Sequence, residues 1–390
     1  MVIKFGEKFG ALKGNTVCCM LMDTLAVFYR LRILDYYRKC LVPKRLDHDP
    51  LVSVVIACPG PSWMLDECLA AIREQSYERW EVIVLPDEAI ATEAEDGRIR
   101  FVPTGKVRPA EKRNIGIRAA KGEIVAFIDD DAYPDSHWLE YAIKYFGDAD
   151  IGAVGGPGVT PPGDRALAYL GGRVYDNYLV SGNYHYRYRA GGVRMDVEDY
   201  PSCNLFVRRE LLEKIGGYRT DFWPGEDTLL CKDIIDNWKR IIYDPWVVVF
   251  HHRRRLFGPH LRQLGRYGFH RGYFCKRFPS NSLRLSYFIP TLFDAYLLVL
   301  VLAVVLFKAV FLRGDFICAG FLPLWIYLAA VALTTFSIRP HHWAMIFFGV
   351  VSSHVWYGVQ FFRGLCARKA PCEYIGKDHA NGSEDGVAMV

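Results

Sequence analysis

The segment 124–135 (IVAFIDDDAYPD) places three consecutive carboxylates directly after five apolar residues. A continuous apolar run of this length predicts a central strand that is buried on both faces of a sheet. Asp129, Asp130 and Asp131 therefore stand where this strand leaves the sheet, and ligands of open α/β sheets bind in the crevice at such strand ends. Because adjacent carboxylates repel one another, we expect a hard cation, Mg²⁺ or Mn²⁺, of the kind that also binds diphosphates. The alternative is that the triplet caps the next helix, although Asp135 or Ser136 would serve that role without it.

Strands and helices alternate along the first half of the chain. Apolar runs predict strands at 51–58, 80–85 and 98–102, and helical spacing predicts helices at 64–75 and 110–120. This alternation predicts an α/β fold with a mostly parallel sheet and helices on both faces. The same patterns later predict a strand at 203–207, helices at 210–215 and 226–238, and strands around Ile241 and Val247.

Three apolar segments follow this α/β region. Phe316–Phe336 carries no charge over 21 residues, and Trp343–Phe362 is a further 20 residues without Asp, Glu, Lys or Arg. Tyr287–Leu312 is also apolar and is interrupted only by Asp294 and Lys308. Each segment is long enough to cross a bilayer, so we expect two or three transmembrane helices.

These patterns divide the chain into four parts. Residues 1–46 are a basic segment with nine Lys or Arg against three acids. Within it, Val17–Tyr37 is expected to form either an amphipathic helix on an anionic membrane surface or a helix packed against the catalytic domain. Residues 47–285 form the predicted catalytic domain, 286–363 the transmembrane helices, and 364–390 a polar tail. The eleven cysteines include no CxxC pair, which favours reduced thiols on the cytoplasmic side. No nucleic-acid-binding motif is present, so we expect no nucleic-acid partner.

Further motifs place polar residues after apolar runs in a fixed order. SVVIACPG begins at residue 53, EVIVLPDEA contains Asp87, and KRNIGIRAAKGEIVAFIDDD joins Arg113 and Asn114 to the aspartate triplet. WPGEDTLLC contains Glu226 and Asp227, and HLRQLGRYG follows from residue 260. This order resembles that of family 2 glycosyltransferases with a GT-A fold, over roughly residues 50–270. The chain departs from the family pattern at Pro86, where an aspartate is usual, and at Tyr267, where a tryptophan is usual.

The resemblance implies a role for individual residues. Those expected to bind a nucleotide-diphosphate sugar are Asp87, Arg113, Asn114, Asp129, Asp130, Gln263, Arg266 and Tyr267. Asp129 and Asp131 match the ends of the metal-binding Asp-x-Asp motif, and a histidine after the strand VVVF can complete the metal shell. Either His251 or His252 fits that position, and we assign His251 to the metal; the alternative is a pair of surface histidines beside the basic run 253–255.

Sugar transfer itself requires the same groups. The leaving diphosphate gains negative charge, which a divalent cation held by Asp131, with Asp129 nearby, would stabilise. The acceptor hydroxyl must lose its proton, and we expect Asp227 to act as the general base while Glu226 binds the acceptor. The alternative for Glu226 and Asp227 is helix capping after Gly225. A single base with direct displacement predicts inversion at the anomeric carbon.

The sequence therefore predicts a metal-dependent, inverting glycosyltransferase of the hexosyltransferase type. We expect a multi-pass protein of the cell membrane, in contact with membrane lipids, whose catalytic domain faces the cytoplasm. It would transfer sugar from a nucleotide-diphosphate sugar to a lipid-linked or polysaccharide acceptor. The alternatives are a processive polysaccharide synthase and a catalytically silent, sugar-nucleotide-binding scaffold subunit.

Overall fold

The structure is a computed structural model, and it describes residues 43–90, 96–310, 314–337 and 339–368. The predicted N-terminal amphipathic segment up to residue 42, and the polar tail from residue 369, lie outside the described residues. The boundaries proposed for the four parts of the chain stay predictions.

Short strands and helices alternate up to residue 251, and mainly helical sequence follows. The strands are β1 (Val52–Ala57), β2 (Trp80–Leu85), β3 (Ile99–Phe101), β4 (Ile124–Asp129), β5 (Ala132–Pro134), β6 (Ile151–Gly155), β7 (Gly158–Val159), β8 (Met195–Val197), β9 (Asn204–Arg208), β10 (Arg240–Tyr243) and β11 (Val249–His251). The helices are α1 (Trp63–Arg73), α2 (Pro109–Ala119), α3 (Trp138–Ile143), α4 (Ala166–Tyr175), α5 (Tyr178–Ser181), α6 (Arg209–Ile215), α7 (Glu226–Asp236), α8 (Gly258–Arg277), α9 (Pro279–Ser282), α10 (Ile289–Val310), α11 (Gly314–Thr334) and α12 (Pro340–Cys366). Two 3₁₀ segments, Gly182–Tyr188 and Leu285–Phe288, precede β8 and α10.

An eight-stranded mixed sheet forms the centre of the fold, in the order β3-β2-β1-β4-β9-β6-β10-β8. β1 pairs in parallel with both β2 and β4, whereas β9 is antiparallel to β4 and to β6. Alternate residues of one strand enter separate cores: Val54 and Ile56 pack on one face of the sheet, and Val55 packs on the other. The apolar runs of the central strands follow from this burial on both faces. The predicted α/β fold, mostly parallel with helices on both faces, is confirmed.

A small second sheet, β5-β11-β7, positions the aspartate triplet. β5 begins directly after Asp131 and pairs with β11, so that Ala132 lies opposite His251. The next helix, α3, begins only at Trp138, after the Asp135 side chain has accepted a hydrogen bond from the His137 N–H. The triplet therefore does not cap a helix, and the capping alternative is wrong because a strand intervenes.

Among the C-terminal helices, α12 packs on α8, and α10 and α11 pack on α12. Within the described residues, Leu285–Val305 and Pro340–Cys366 are long and apolar enough to cross a membrane, by length and composition, and a shorter apolar helix covers Gly320–Thr334. α12 lies along α8 at a short distance, since a Cβ on Gly272 would stand 2.0 Å from the Phe361 carbonyl oxygen. α10 packs on the other side of α12, so that the apolar helices are continuous with the end of the α/β region.

Candidate active site

One cleft of about 2570 Å³ runs over the C-terminal ends of β1 and β4. Its lining includes the aspartate triplet, the start of α7 and one face of α8. The lining continues to Tyr287, Pro290 and Tyr357, which lie on or beside the apolar helices. The cleft therefore joins the edge of the central sheet to the C-terminal helices.

Asp129, Asp131 and His251 form the one group of three metal-ligand side chains found among the described residues. Their potential ligand atoms lie within 4.8 Å of one another, and His251 Nε2 is 3.1 Å from Asp131 Oδ1. Asp129 ends β4, Asp131 precedes β5 and His251 ends β11, so pairing between the last two strands assembles the group. Two carboxylates and an imidazole suit a divalent cation such as Mn²⁺.

The charges of the triplet are unevenly compensated. Burial and the carboxylates of Asp131 and Asp129 raise the pKa of Asp130 to about 8. Burial acts on Asp131 in the same direction, but His251 and Arg254 outweigh it and lower the pKa of that carboxyl. A cation at this group would add the positive charge that the triplet otherwise lacks.

The two adjacent histidines have different surroundings. The His252 ring lies between two carboxylates, 2.5 Å from Asp164 Oδ1 and 2.7 Å from Glu67 Oε2, and its pKa is raised because these hydrogen bonds outweigh burial. Its backbone N–H donates to the Asp131 carbonyl oxygen at 2.9 Å. Both ring nitrogens of His252 are thus engaged, and His251 is the histidine beside the aspartates.

Arg113, on α2, connects the metal-ligand group to the carboxylates of α7. Its guanidinium lies 2.8 Å from Asp129, 3.3 Å from Glu226 and 3.9 Å from Asp227, and its side chain is only 8% exposed. A buried guanidinium of this kind is well suited to hold several carboxylates together, because its donors have a fixed planar geometry. Arg113, which is predicted to bind the donor, thus also links the metal-ligand group to the carboxylates of α7.

Glu226 and Asp227 begin α7 and face the cleft. Gly225 precedes them with φ 120°, and a Cβ at this position would lie 2.6 Å from the Phe274 ring. Burial and Asp227 raise the pKa of Glu226 to about 7, against the opposing charge of Arg113. Burial also raises the pKa of Asp227, while Arg113 and a hydrogen bond from Ser202 act to lower it.

Ser202 was missed by the sequence analysis. Its hydroxyl donates to Asp227 Oδ1 at 2.5 Å and lies 2.6 Å from the Tyr218 hydroxyl, which is buried. The Ser202 hydroxyl has one proton, so donation to Asp227 leaves its oxygen to accept from Tyr218. This hydrogen bond fixes the orientation of the Asp227 carboxylate at the cleft.

Of the residues predicted to bind the nucleotide sugar, all but Asn114 line the cleft. Asp87 lines the cleft and pairs with Lys112, which also donates to the carbonyl oxygens of Cys58 and Leu85 at 2.6 and 3.1 Å. Asn114 is absent from the lining: its side chain donates to the Tyr218 carbonyl at 2.8 Å and accepts from the Tyr218 N–H at 2.7 Å.

Gln263, Arg266 and Tyr267 all line the cleft from α8. Gln263 donates to the Tyr267 hydroxyl at 3.2 Å, and the Arg266 guanidinium lies 5.6 Å from the centre of the Trp223 ring. Tyr267 therefore occupies the cleft with its hydroxyl engaged by a neighbour one helical turn away.

Comparison with known proteins finds glycosyltransferases among those that resemble this chain. The model of the family "Glycosyl transferase family 2" matches residues 53–216. Glycosyltransferase AglE of Haloferax volcanii is 26% identical over 237 residues, which cover 56% of this chain and 72% of that protein. The pre-mycofactocin glycosyltransferase of Mycobacterium tuberculosis is 29% identical over 151 residues, covering 38% of this chain and about a third (31%) of that relative's length.

A solved structure extends the likeness to the C-terminal helices. The mannosyltransferase PcManGT of Pyrobaculum calidifontis, determined in complex with GDP-Man and Mn²⁺, has a TM-score of 0.51 at 21% identity. The alignment covers 90% of this chain and 99% of that one. At this identity the likeness establishes the fold alone. Residues 53–216 thus belong to glycosyl transferase family 2, and the chain around them has a GT-A fold with two long apolar helices at its C-terminal end.

Proposed function

We propose that this protein is a metal-dependent, inverting glycosyltransferase that moves a sugar from a nucleotide-diphosphate donor to a lipid-linked or polysaccharide acceptor. The observation that supports it most directly is the Arg113 bridge, which joins the metal-ligand group at Asp129 to the carboxylates of α7. In a single displacement, the metal-ligand group that binds the leaving diphosphate and the base that receives the acceptor proton must lie on opposite sides of the reacting carbon. Because Arg113 contacts both groups, its position fits this requirement.

On the donor side, Asp129, Asp131 and His251 would hold Mg²⁺ or Mn²⁺, which supplies charge stabilisation to the leaving diphosphate. Arg254 adds positive charge beside this group, 3.5 Å from Asp131. Asp87, Arg113, Asp130, Gln263, Arg266 and Tyr267 line the cleft where the nucleotide sugar would lie. Asn114 contributes indirectly, by holding the backbone at Tyr218.

On the acceptor side, Asp227 takes the proton of the attacking hydroxyl. Ser202 fixes one oxygen of its carboxylate, so the other oxygen has a defined direction. Glu226, which burial and Asp227 keep partly protonated near neutral pH, is placed to hold the acceptor. The hydroxyl oxygen forms a bond to the anomeric carbon as the bond to the diphosphate oxygen breaks, and a single displacement inverts the configuration.

The helices α10 and α12 would anchor the protein in a membrane, and α11 would add a third crossing. Nucleotide sugars are cytoplasmic, so the catalytic cleft would face the cytoplasm. Because the cleft lining continues to Tyr287 and Pro290, an acceptor attached to a lipid would have access from the membrane side. We expect short, discrete products; a ladder of tens of sugars in mass spectrometry would favour a processive synthase.

Asp227→Asn tests the assignment of the base. The substitution keeps the shape of the side chain, so donor binding should change little, while transfer should fall by about two to four orders of magnitude. Asp236→Asn, an exposed position at the end of the same helix, is the matched control and should retain activity. Near-normal turnover of the Asp227→Asn variant would place the base elsewhere. If the wild-type protein binds the donor but neither hydrolyses nor transfers its sugar, the catalytically silent scaffold subunit would be favoured.

A further inference from the structure

The end of the cleft nearest the apolar helices contains two arginines that share one carboxylate. Arg271, on α8, donates to Asp199 Oδ2, and Arg187 lies 3.7 Å from the same oxygen while donating to the Asp199 carbonyl oxygen. Asp199 is 6% exposed, and the two arginines lower its pKa although burial acts in the opposite direction. All three residues line the cleft. One negative charge thus faces two positive charges, which leaves an excess of one positive charge at this end of the cleft.

Both guanidinium groups also have donors to spare. Among the described residues, neither Arg187 Nε nor Arg271 Nη1 has a hydrogen-bond partner, and both atoms are buried. Leaving a buried donor of a charged group unsatisfied costs about 1–3 kcal/mol or more. A bound oxyanion would bring acceptors to these two guanidinium groups and would neutralise the excess positive charge.

Aromatic side chains hold the two guanidinium groups in place. Arg187 lies 4.4 Å from the centre of the Tyr184 ring, and Arg271 lies 5.3 Å from the centre of the Tyr287 ring. The hydroxyls of Tyr184 and Tyr287 are 3.1 Å apart, so the two rings form one wall. Guanidinium groups fixed by stacking lose little freedom when an anion binds, which favours recognition of a multidentate anion.

The position of this pair distinguishes it from the donor site. Asp199 accepts a hydrogen bond from the Thr228 hydroxyl at 3.0 Å, and Thr228 directly follows the proposed base, Asp227. On its other side Asp227 is connected through Arg113 to Asp129 and the metal-ligand group. These contacts place the arginine pair beside the start of α7 and next to the proposed base, and among the described residues neither arginine is paired with Asp129, Asp131 or His251.

We propose that Arg187 and Arg271 bind a phosphate or diphosphate group that joins the acceptor sugar to a lipid. This proposal deepens the proposed function, because it names the class of acceptor. The anion serves for binding; a sugar hydroxyl of the acceptor attacks, its proton passes to Asp227, and the nucleoside diphosphate leaves. The lining residues Tyr287, just before α10, and Pro290, at its start, place the site where a lipid chain can continue into the membrane.

Binding of an anion can be tested without sugar transfer. Purified full-length protein, kept free of divalent metal by a chelator, is titrated with a short-chain alkyl diphosphate and with inorganic diphosphate. Arg187→Gln and Arg271→Gln should each weaken binding of the alkyl diphosphate about 10- to 100-fold. This is the effect expected from the loss of one hydrogen bond between charged groups. Arg189→Gln, an exposed arginine two residues further on, is the matched control and should bind as the wild type does. Wild-type affinity for the alkyl diphosphate in both variants would overturn the proposal.

The comparison of the two ligands identifies the source of the anion. Tighter binding of the alkyl diphosphate than of inorganic diphosphate supports a lipid source, whereas equal affinities would keep the anion site and assign it to a soluble anion.

A second measurement separates recognition from structural support. Two acceptors carry the same sugar, one linked to a lipid through diphosphate and the other through an uncharged ether. The Gln variants should raise KM about 10- to 100-fold for the diphosphate acceptor, with kcat, donor KM and the uncharged acceptor unchanged. Equal losses for both acceptors would show that the arginines only support Asp199, and would overturn the proposal while leaving the proposed function intact. If a Gln variant does not fold, Arg→Lys at the same position keeps the charge and should show a smaller rise of KM.

Discussion

Replacing Glu226 by glutamine is expected to stabilise the fold at pH 8 and to weaken sugar transfer. Glu226 is 5% exposed, and burial together with Asp227 raises its pKa from the ordinary value of 4.5 to about 7. The folded protein therefore binds this proton more tightly than the unfolded chain does. Stability from this group is fully present below pH 4.5, is lost as the pH rises towards about 7, and stays lost above it. Glutamine has the same shape and no charge, so it removes the penalty.

The difference between the two pKa values sets the size of the effect. At about 1.4 kcal/mol for each tenfold change in proton affinity, an ordinary value of 4.5 and a folded value of about 7 give an upper limit of about 3 kcal/mol at pH 8. The folded value already includes the opposing charge of Arg113, so no further deduction is made for that ion pair, and we expect about 1–3 kcal/mol. For a domain of this size that corresponds to a rise of about 3–10 °C in Tm.

The assay is thermal unfolding of the full-length protein in detergent at pH 8 and at pH 5, followed by intrinsic fluorescence. The Glu226→Gln variant should gain stability at pH 8 and lose most of that gain at pH 5, where the native carboxyl is protonated. Glu213→Gln, at an exposed position on α6, is the control and should change Tm little at either pH. A variant that is less stable than wild type at pH 8, or that gains equally at both pH values, would refute the reasoning, because the effect would then come from packing.

Three further substitutions test the site and its support. Ser202→Ala removes a hydrogen bond that lowers the pKa of Asp227, so the acid limb of the kcat/KM profile should move to higher pH; an unmoved limb would contradict the contact. Asn204→Leu leaves two backbone carbonyls and the Trp138 indole N–H unpaired in the core, and should lower the free energy of unfolding by about 3 kcal/mol or more in denaturant titrations. A smaller loss would mean that water replaces these bonds. Asp131→Ala should abolish Mn²⁺-dependent nucleotide binding, measured by calorimetry, with the fold retained; unchanged metal dependence would remove Asp131 from the metal site.

Elements with a strong local pattern were predictable. β4 was found because five apolar residues in sequence fit only a position buried on both faces, and the strand end then located the aspartates. The strand expected around Val247 instead begins at Val249. The Asp244 side chain accepts from the Trp246 N–H at 2.9 Å and forms a turn there, so the apolar residues before 249 are not extended in a sheet.

The direction of individual side chains was less accessible to sequence analysis. Arg113 and Asn114 are adjacent on α2, so their side chains point about 100° apart around the helix. Arg113 faces the carboxylates of the cleft, whereas Asn114 faces the Tyr218 backbone. A motif records which residues are present, and only the packing of α2 against the sheet decides which of them reaches the cleft.

Contacts between residues far apart in the sequence had no local signal, even where motifs identified the residues themselves. Arg113 and Glu226 are 113 positions apart, and Arg271 and Asp199 are 72 apart. Ser202 and Asp199 precede a strand in a segment whose composition indicates only a loop. Their importance comes from the antiparallel insertion of β9 between β4 and β6, which brings the loop before β9 beside α7.

Charges of opposite sign alternate along the whole cleft, and this alternation explains how so many ionisable groups can share one buried surface. The aspartates of the metal-ligand group are followed by Arg113, then by Glu226 and Asp227, and then by the arginines that flank Asp199. The carboxylates of Asp129, Asp131, Glu226, Asp227 and Asp199 have cationic neighbours, but the aspartate triplet has a deficit of positive charge at Asp130 and the arginine pair has an excess. A cation is expected at the first end and an anion at the second, because the side chains between them already compensate one another. The two proposed ligands thus follow from one pattern of charge, with Asp227 between them.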